Sequence, residues 1–190
     1  PMWLTPTCKW IHIAGIGAST TQQLEMVQGI HEKAPTWNGV LSAGTCRAMI
    51  EAEPTRTMSL LLQCDVFFLN REEFDLLCPE GLPQAYRGTV LITDGANGVH
   101  VTSGPHQGTY STTPVIPTDP TGAGDSFCGG FIGTMVSEGN KPVEKGIEIA
   151  GKVLKGMGAA SLIDWVASHV TNHAEHVPIH IVNLAPTVQQ

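Results

Sequence analysis

Residues Asp119–Phe127 read D-P-T-G-A-G-D-S-F, and this segment is the most informative part of the sequence. From Gly122 onward, apolar residues recur at helical spacing, which predicts that a helix begins there. A loop of small residues before a helix directs several backbone N–H groups at one point, where the helix dipole adds partial positive charge. Gly122 and Gly124 have no side chain that would keep a ligand away from this backbone. The stretch therefore predicts a site for a phosphate, or for a phosphoryl group in transfer.

Asp125 lies in the first turn of this helix and needs an explanation, because its carboxylate would repel a phosphate. One explanation is that Asp125 accepts the proton of an attacking hydroxyl. The other is an ordinary glycine-rich turn in which Asp125 is a carboxylate at the start of a helix. The residues alone leave both explanations open.

The rest of the chain alternates between strand and helix patterns, which predicts an α/β fold with a mainly parallel sheet. We expect strands at 10–14, 40–41, 65–69 and 90–93, the last with a hairpin partner at 98–102. We expect helices from the Ser19 cap to Lys33, at 57–63, at 71–77, from Gly122 to Gly139, and from Pro142 to about Leu162. No linker or repeat divides the sequence, so residues 1–190 are interpreted as one domain with a poorly assigned tail from 164 to 190.

Composition and charge narrow the classes of partner. Ten Lys and Arg against 17 Asp and Glu give a net charge of −7, the wrong sign for nucleic acid or an anionic membrane surface. No apolar run approaches the length of a membrane span. The five cysteines are odd in number and never spaced C-x-x-C, which is typical of free thiols in a reducing compartment. We therefore expect a cytoplasmic protein.

The segment Asp119–Phe127 resembles the C-terminal signature of the ribokinase (PfkB) carbohydrate kinase family, D-T-x-G-A-G-D-x-F, with Pro120 in place of the usual Thr. The resemblance implies a ribokinase-like fold and an ATP-dependent kinase that phosphorylates a hydroxyl of a sugar or nucleoside. It implies that Asp125 is the catalytic base and that Gly122, Ala123 and Gly124 form the anion hole.

Two shorter motifs follow the family order. Asn70-Arg71-Glu72-Glu73 resembles N-x-x-E, which implies that Asn70 and Glu73 help to hold Mg²⁺ and phosphate, Glu73 through water. Its alternative is a helix with an Asn cap and an acidic first turn. Thr93-Asp94-Gly95 resembles the T-x-G segment beside the nucleotide, and its alternative is an ordinary hairpin turn.

The resemblance also implies a monovalent-cation site, for K⁺, to which Asp119 and Thr121 contribute. On the adenine side the sequence departs from the family pattern, since the helix there has Lys152 and Lys155 and no obvious Asn.

The resemblance extends from about Trp10 to Ser161 and corresponds to the C-terminal portion of the family fold. We expect the N-terminal part, with its substrate-binding residues and lid, to be absent, and the 190-residue chain alone to be inactive. The rival hypothesis is a non-catalytic fragment that binds a nucleotide or a partner chain. Whether the complete protein forms a homo-oligomer, and which substrate it takes, are left open.

Two other patterns are weaker. His169, His173 and His176 share one face of any helix there, and His180 follows Pro178, which leaves a metal site as an alternative to a solvated polar face. The run 15–18, G-I-G-A, lacks the later glycine and the acidic residue of a dinucleotide loop, so a strand-to-helix turn is expected.

Overall fold

The computed structural model describes residues 8–15, 19–156 and 180–182. In chain order the elements are β1 Trp10–Ile13, α1 Thr20–Lys33, β2 Val40–Gly44, α2 Arg47–Ala52, α3 Pro54–Gln63, β3 Val66–Asn70, α4 Arg71–Leu77, β4 Thr89–Thr93, a 3₁₀ turn Gly95–Asn97, β5 Val99–Val101, β6 Gly108–Tyr110, α5 Ala123–Val136, α6 Pro142–Lys155 and β7 His180–Val182.

The strands of the described part form one seven-stranded sheet in the order β6-β5-β4-β3-β2-β1-β7. Strand β1 pairs in parallel with both β2 and β7, and β2 pairs in parallel with β3. The expected hairpin after β4 is present, since the Asp94 N–H donates to the Gly98 carbonyl at 2.8 Å. Parallel strands need crossover connections, and helices provide them here. The prediction of a mainly parallel sheet flanked by helices is confirmed.

By their internal contacts the described residues group into two compact units. The first comprises Pro1–Ile92, Val101–Gln107 and Ile179–Gln190. The second comprises Thr93–His100 and Gly108–Pro178. The Asp119–Phe127 stretch therefore belongs to the second unit and the Asn70–Glu73 motif to the first.

The first unit is built on one apolar core. The inward side chains of β1 to β4 are buried with apolar residues of α1 and α3, among them Ile13, Val27, Leu60, Phe67 and Val90. Removing such side chains from water is the main favourable term in folding. Helix α1 begins where the sequence predicts, because the Ser19 side chain accepts from the Gln22 N–H and the Gln22 side chain accepts from the Ser19 N–H.

His12 lies in a buried polar network between β1 and β2. The Trp10 indole N–H donates to Ser42 Oγ at 2.7 Å, and the same oxygen lies 2.8 Å from His12 Nδ1. The ring also meets Phe68 edge-on, with 5.5 Å between centroids. Burial lowers the pKa of His12 to about 4, because a charged imidazolium would lose its hydration there. The ring is therefore neutral at pH 7.

This burial predicts an acid-sensitive contribution of His12 to stability. Since its pKa is lower in the folded than in the unfolded chain, the unfolded chain binds more protons as the pH falls from about 6.5 to about 4, and stability is lost over that window. Between pH 7 and pH 5 the loss from this group is about 2 kcal/mol. His12→Asn should remove that part of the pH dependence of urea unfolding. An unchanged pH dependence in the variant would contradict the assignment.

Helices α5 and α6 of the second unit meet at glycines. A Cβ on Gly146 would come within 2.7 Å of the Phe127 ring, and one on Gly130 within 3.0 Å of the Gly146 Cα. Phe127 stacks on Phe131 at 6.5 Å between ring centroids. Any larger residue at Gly146 would push the two helices apart. The two glycines thus fix the distance between the helix that carries Asp125 and the helix that follows it.

Several elements differ from the sequence-based expectation. Helix α2 and strand β6 were not predicted, and α6 ends at Lys155, where Gly156 is the C-cap, rather than near Leu162. Strand β7 lies in the tail that the sequence left unassigned. The run at 16–18 and the histidines at 169, 173 and 176 lie outside the described residues, and of His180 only the backbone is described.

Candidate active site

The loop that leads into α5 is shaped by two local features. Asp119 Oδ1 accepts from the Thr121 N–H at 2.9 Å, and hydrogen bonds from Thr121, chiefly from its backbone, lower the pKa of Asp119. Gly122 then takes the left-handed conformation, with φ of 81°, as the N-cap of α5. A residue with a Cβ would be strained in this conformation. The glycine is needed for the turn that starts the helix.

Some of the first N–H groups of α5 already donate a hydrogen bond within the protein, and others do not. The Ala123 N–H donates to the Pro120 carbonyl at 3.2 Å, and the Ser126 N–H donates to the Gly122 carbonyl at 2.9 Å. Among the described residues, the N–H groups of Gly124 and Asp125 have no acceptor. Unused N–H groups at a helix N-terminus are the donors that anions bind.

Asp125 is the third residue of α5, and its side chain is exposed. Within the described ranges, no side chain or backbone group hydrogen-bonds to its carboxylate, and no cation pairs with it. A carboxylate without a competing partner is available to accept a proton from a bound hydroxyl.

A cavity of about 420 Å³ lies within the second unit. It brings together predicted residues from two motifs, Thr93 and Gly95 from the T-x-G segment and Ala123 and Gly124 from the loop. A Cβ at Gly95 or at Gly124 would meet no heavy atom within 4 Å, so both backbones border open space. This is the concave, largely apolar type of site that small ligands occupy.

The remaining walls of the cavity were predicted only in part from the sequence. They come from the segment Thr112–Pro117, from Phe127 of α5 and from the face of α6 that carries Ile147, Gly151 and Leu154. The resemblance implies that the small-residue segment Ala150–Lys155 lies on the adenine side, and three of its residues, Ala150, Gly151 and Leu154, do line the cavity. Ile147 is the lining residue of α6 that lies outside this segment.

Besides its backbone hydrogen bonds, the turn after β4 is held by a threonine side chain. Thr112 Oγ1 donates to the Ala96 carbonyl at 3.0 Å and lies 3.5 Å from the Gly95 carbonyl oxygen. Gly95 has φ of 51°, which a glycine adopts at no steric cost. The turn therefore presents Gly95 to the cavity in a fixed conformation.

Asn70 and Glu73 form a complete capping box at the start of α4. Asn70 Oδ1 accepts from the Glu73 N–H at 2.8 Å, and Glu73 Oε2 accepts from the Asn70 N–H at 2.9 Å. Partial burial raises the pKa of Glu73, although the backbone N–H groups of Asn70 and Arg47, which donate to the carboxylate, act in the opposite direction. The helix-cap alternative for this motif is thus present, and the carboxylate still has acceptor capacity for a water molecule.

In residues 8–15, 19–156 and 180–182, no group of three or more His, Cys, Asp and Glu residues is arranged to hold a metal ion. No helix in the described part of the chain is long and apolar enough to cross a membrane.

Many solved structures share this fold. Fructokinase from Vibrio cholerae O395, solved with fructose, ADP and calcium, is 23% identical with a TM-score of 0.61, and the match covers 79% of this chain and 56% of that one. Aminoimidazole riboside kinase from Salmonella enterica is 20% identical with a TM-score of 0.60, covering 86% and 62%. Adenosine kinase from Schistosoma mansoni, with 2-fluoroadenosine, is 16% identical with a TM-score of 0.64, covering 79% and 51%. The chain therefore has a ribokinase-like fold and spans between half and about three-fifths of these structures.

Comparison with curated proteins finds no significant match. The model of the pfkB family carbohydrate kinases matches residues 43–162, which is more than half of the chain and includes both α4 and the loop before α5. On this match, the chain belongs to the pfkB family of carbohydrate kinases.

Proposed function

We propose that this chain carries the nucleotide-binding and proton-accepting part of a kinase that phosphorylates a hydroxyl of a sugar or nucleoside. The observation that carries the proposal is the start of α5, where Gly124 lines a cavity and the next residue, Asp125, has an exposed carboxylate with no partner among the described residues; the N–H groups of both residues are unused. The family match and the sugar- and nucleoside-binding kinases of the same fold support it.

The residues present fit a bound nucleotide. Gly124 and Gly95 leave open space at the cavity where a side chain would intrude, and the N–H groups of Gly124 and Asp125 are available to donate to a phosphoryl group. When bound, ATP supplies the phosphoryl group and Mg²⁺ lowers its negative charge.

The predicted site residues of the two motifs and the loop then have the following proposed roles. The carboxylate of Asp125 takes the proton of the acceptor hydroxyl, which makes the oxygen a better nucleophile. The Gly122–Gly124 loop stabilises the transferring group through the N–H groups of Gly124 and Asp125, whereas the Ala123 N–H, which the resemblance places in the anion hole, already donates to the Pro120 carbonyl. Asn70 and Glu73 are proposed to hold Mg²⁺ through water. We also propose that Asp119 and Thr121 contribute ligands to a K⁺ site.

Nucleotide binding by the 190-residue chain tests the proposal. Titration with ATP and Mg²⁺ should shift amide resonances of the loop before α5, of Thr93–Gly95 and of α6. Gly124→Leu should weaken binding by more than about tenfold, because its side chain would occupy the space beside the two N–H groups. Gly133→Leu is the matched control, since Gly133 lies in the same helix with equally open surroundings and does not line the cavity. Shifts confined to residues 1–60 would contradict the proposal.

Glu73 offers a test that separates its two roles. Glu73→Gln keeps a side-chain acceptor for the Asn70 N–H, whereas Glu73→Ala removes it. We expect Glu73→Ala to lower the free energy of unfolding by about 1 kcal/mol and Glu73→Gln to change it little. If the carboxylate holds Mg²⁺ through water, both variants should raise the Mg²⁺ concentration needed for nucleotide binding. If Glu73→Gln leaves that requirement unchanged, Glu73 acts only as a helix cap.

A further inference from the structure

Among the residues that the structure describes, the walls of the cavity have few side chains that could hydrogen-bond to the edge of a base. No charged residue and no Asn, Gln, Ser, Tyr, Trp or His lines it among the described residues. In the described part of the chain, the polar side chains of the wall are those of three threonines, Thr93, Thr112 and Thr113. The other lining residues are glycine, alanine, proline, valine, isoleucine, leucine and phenylalanine.

Many backbone groups in these walls are also unable to hydrogen-bond to a base. Pro114, Pro117 and Pro120 have no N–H to donate. The lining residues of α6 have their N–H groups inside a helix, and the last lining residue, Leu154, has its carbonyl occupied by the Thr118 N–H at 2.8 Å. Thr112 uses its hydroxyl on the turn after β4, where it donates to the Ala96 carbonyl.

Adenine and guanine differ in the donors and acceptors on their edges, and hardly in the shape of their rings. Adenine presents an amino donor where guanine presents a carbonyl acceptor. A site that hydrogen-bonds one pattern rejects the other strongly, because its buried polar groups are then left unpaired. A site that offers only shape and apolar contact discriminates weakly.

We propose that the base is held in this cavity by shape and apolar contact, so that adenine and guanine nucleotides bind with similar affinity. This inference rests on the proposed function and specifies the phosphoryl donor as a purine nucleoside triphosphate rather than ATP alone. A pyrimidine base binds more weakly, because its single ring buries less apolar surface in the same space.

The test is to titrate the 190-residue chain, with Mg²⁺, with the β,γ-imido triphosphates of adenosine, guanosine and cytidine. The dissociation constants of the two purine analogues should agree within about tenfold, and the cytidine analogue should bind more weakly than either. A preference for adenosine over guanosine beyond about tenfold would overturn the inference and leave the proposed function intact. If no analogue binds, the proposed function itself fails.

A cavity-filling variant tests whether the base lies where the inference places it. A Cβ on Gly151 of α6 would meet no atom within 4 Å, so Gly151→Leu fills the cavity without straining the helix. It should weaken both purine analogues by the same factor. Gly29→Leu is the control, because Gly29 is also in a helix with open surroundings and does not line the cavity. If Gly151→Leu leaves both affinities unchanged, the base binds elsewhere and the inference is wrong.

Discussion

Replacing Asp125 by Asn is expected to lower kcat by about 10²–10⁴-fold in any protein that contains these residues and turns over, because a general base contributes about that much to proton transfer. The nucleotide affinity should change little, since a base acts in the transition state and not in the bound ground state. The variant keeps the size of the side chain and loses only its ability to accept the proton. Single-turnover measurements with a saturating acceptor separate this chemical step from product release.

Glu144 provides a matched control for this substitution. Asp125 is the third residue of α5 and Glu144 is the third residue of α6, and both are exposed. Glu144→Gln therefore removes the same favourable interaction with a helix dipole but touches no proposed site residue. Turnover should fall only in Asp125→Asn. Near-normal single-turnover rates in Asp125→Asn, or an equal fall in both variants, would show that Asp125 is a helix-start carboxylate and no base.

The sequence predicted correctly those elements that are determined by residues close together along the chain. The glycine-rich loop, the Ser19–Gln22 capping box and the strand before Asn70 are each determined by neighbours within a few positions, and the structure has each of them. The N-x-x-E spacing shows the limit of local signals, since the same two residues suit a capping box and a metal-binding motif. The capping box is present, and the metal role stays a prediction.

The features that the sequence did not predict depend on tertiary packing. Helix α2 has only six residues, too few to show a periodic pattern, and β6 is a three-residue strand, Gly108–Tyr110, beside β5. The cavity combines the turn after β4, the segment before α5 and the face of α6, which lie up to about 60 residues apart in the sequence. No spacing rule connects such segments, so the apolar character of the walls could not be predicted.

The turn after β4 leads to the largest expected effect on stability. Gly98 has φ of 104° and ψ of −143°, a conformation open only to glycine, and its carbonyl accepts from the Asp94 N–H. A Cβ there would come within 2.0 Å of the Tyr110 carbonyl oxygen, which is backbone and cannot rotate away. Gly98→Ala is therefore expected to lower the free energy of unfolding by about 3 kcal/mol, from backbone strain and steric clash together.

Gly95→Ala is the control that separates these two causes. Gly95 also has a positive φ, 51°, but a Cβ there would meet no atom within 4 Å. Its cost should be that of the left-handed conformation alone, about 1 kcal/mol. Urea unfolding of the two variants gives the comparison directly, provided that the slope of the unfolding free energy against urea concentration is the same in both. Because Gly98 lines the cavity, Gly98→Ala should also weaken nucleotide binding at temperatures where the variant is still folded. Equal losses of stability in the two variants would mean that the close approach of Tyr110 does not constrain residue 98, and that the turn reshapes to admit a side chain.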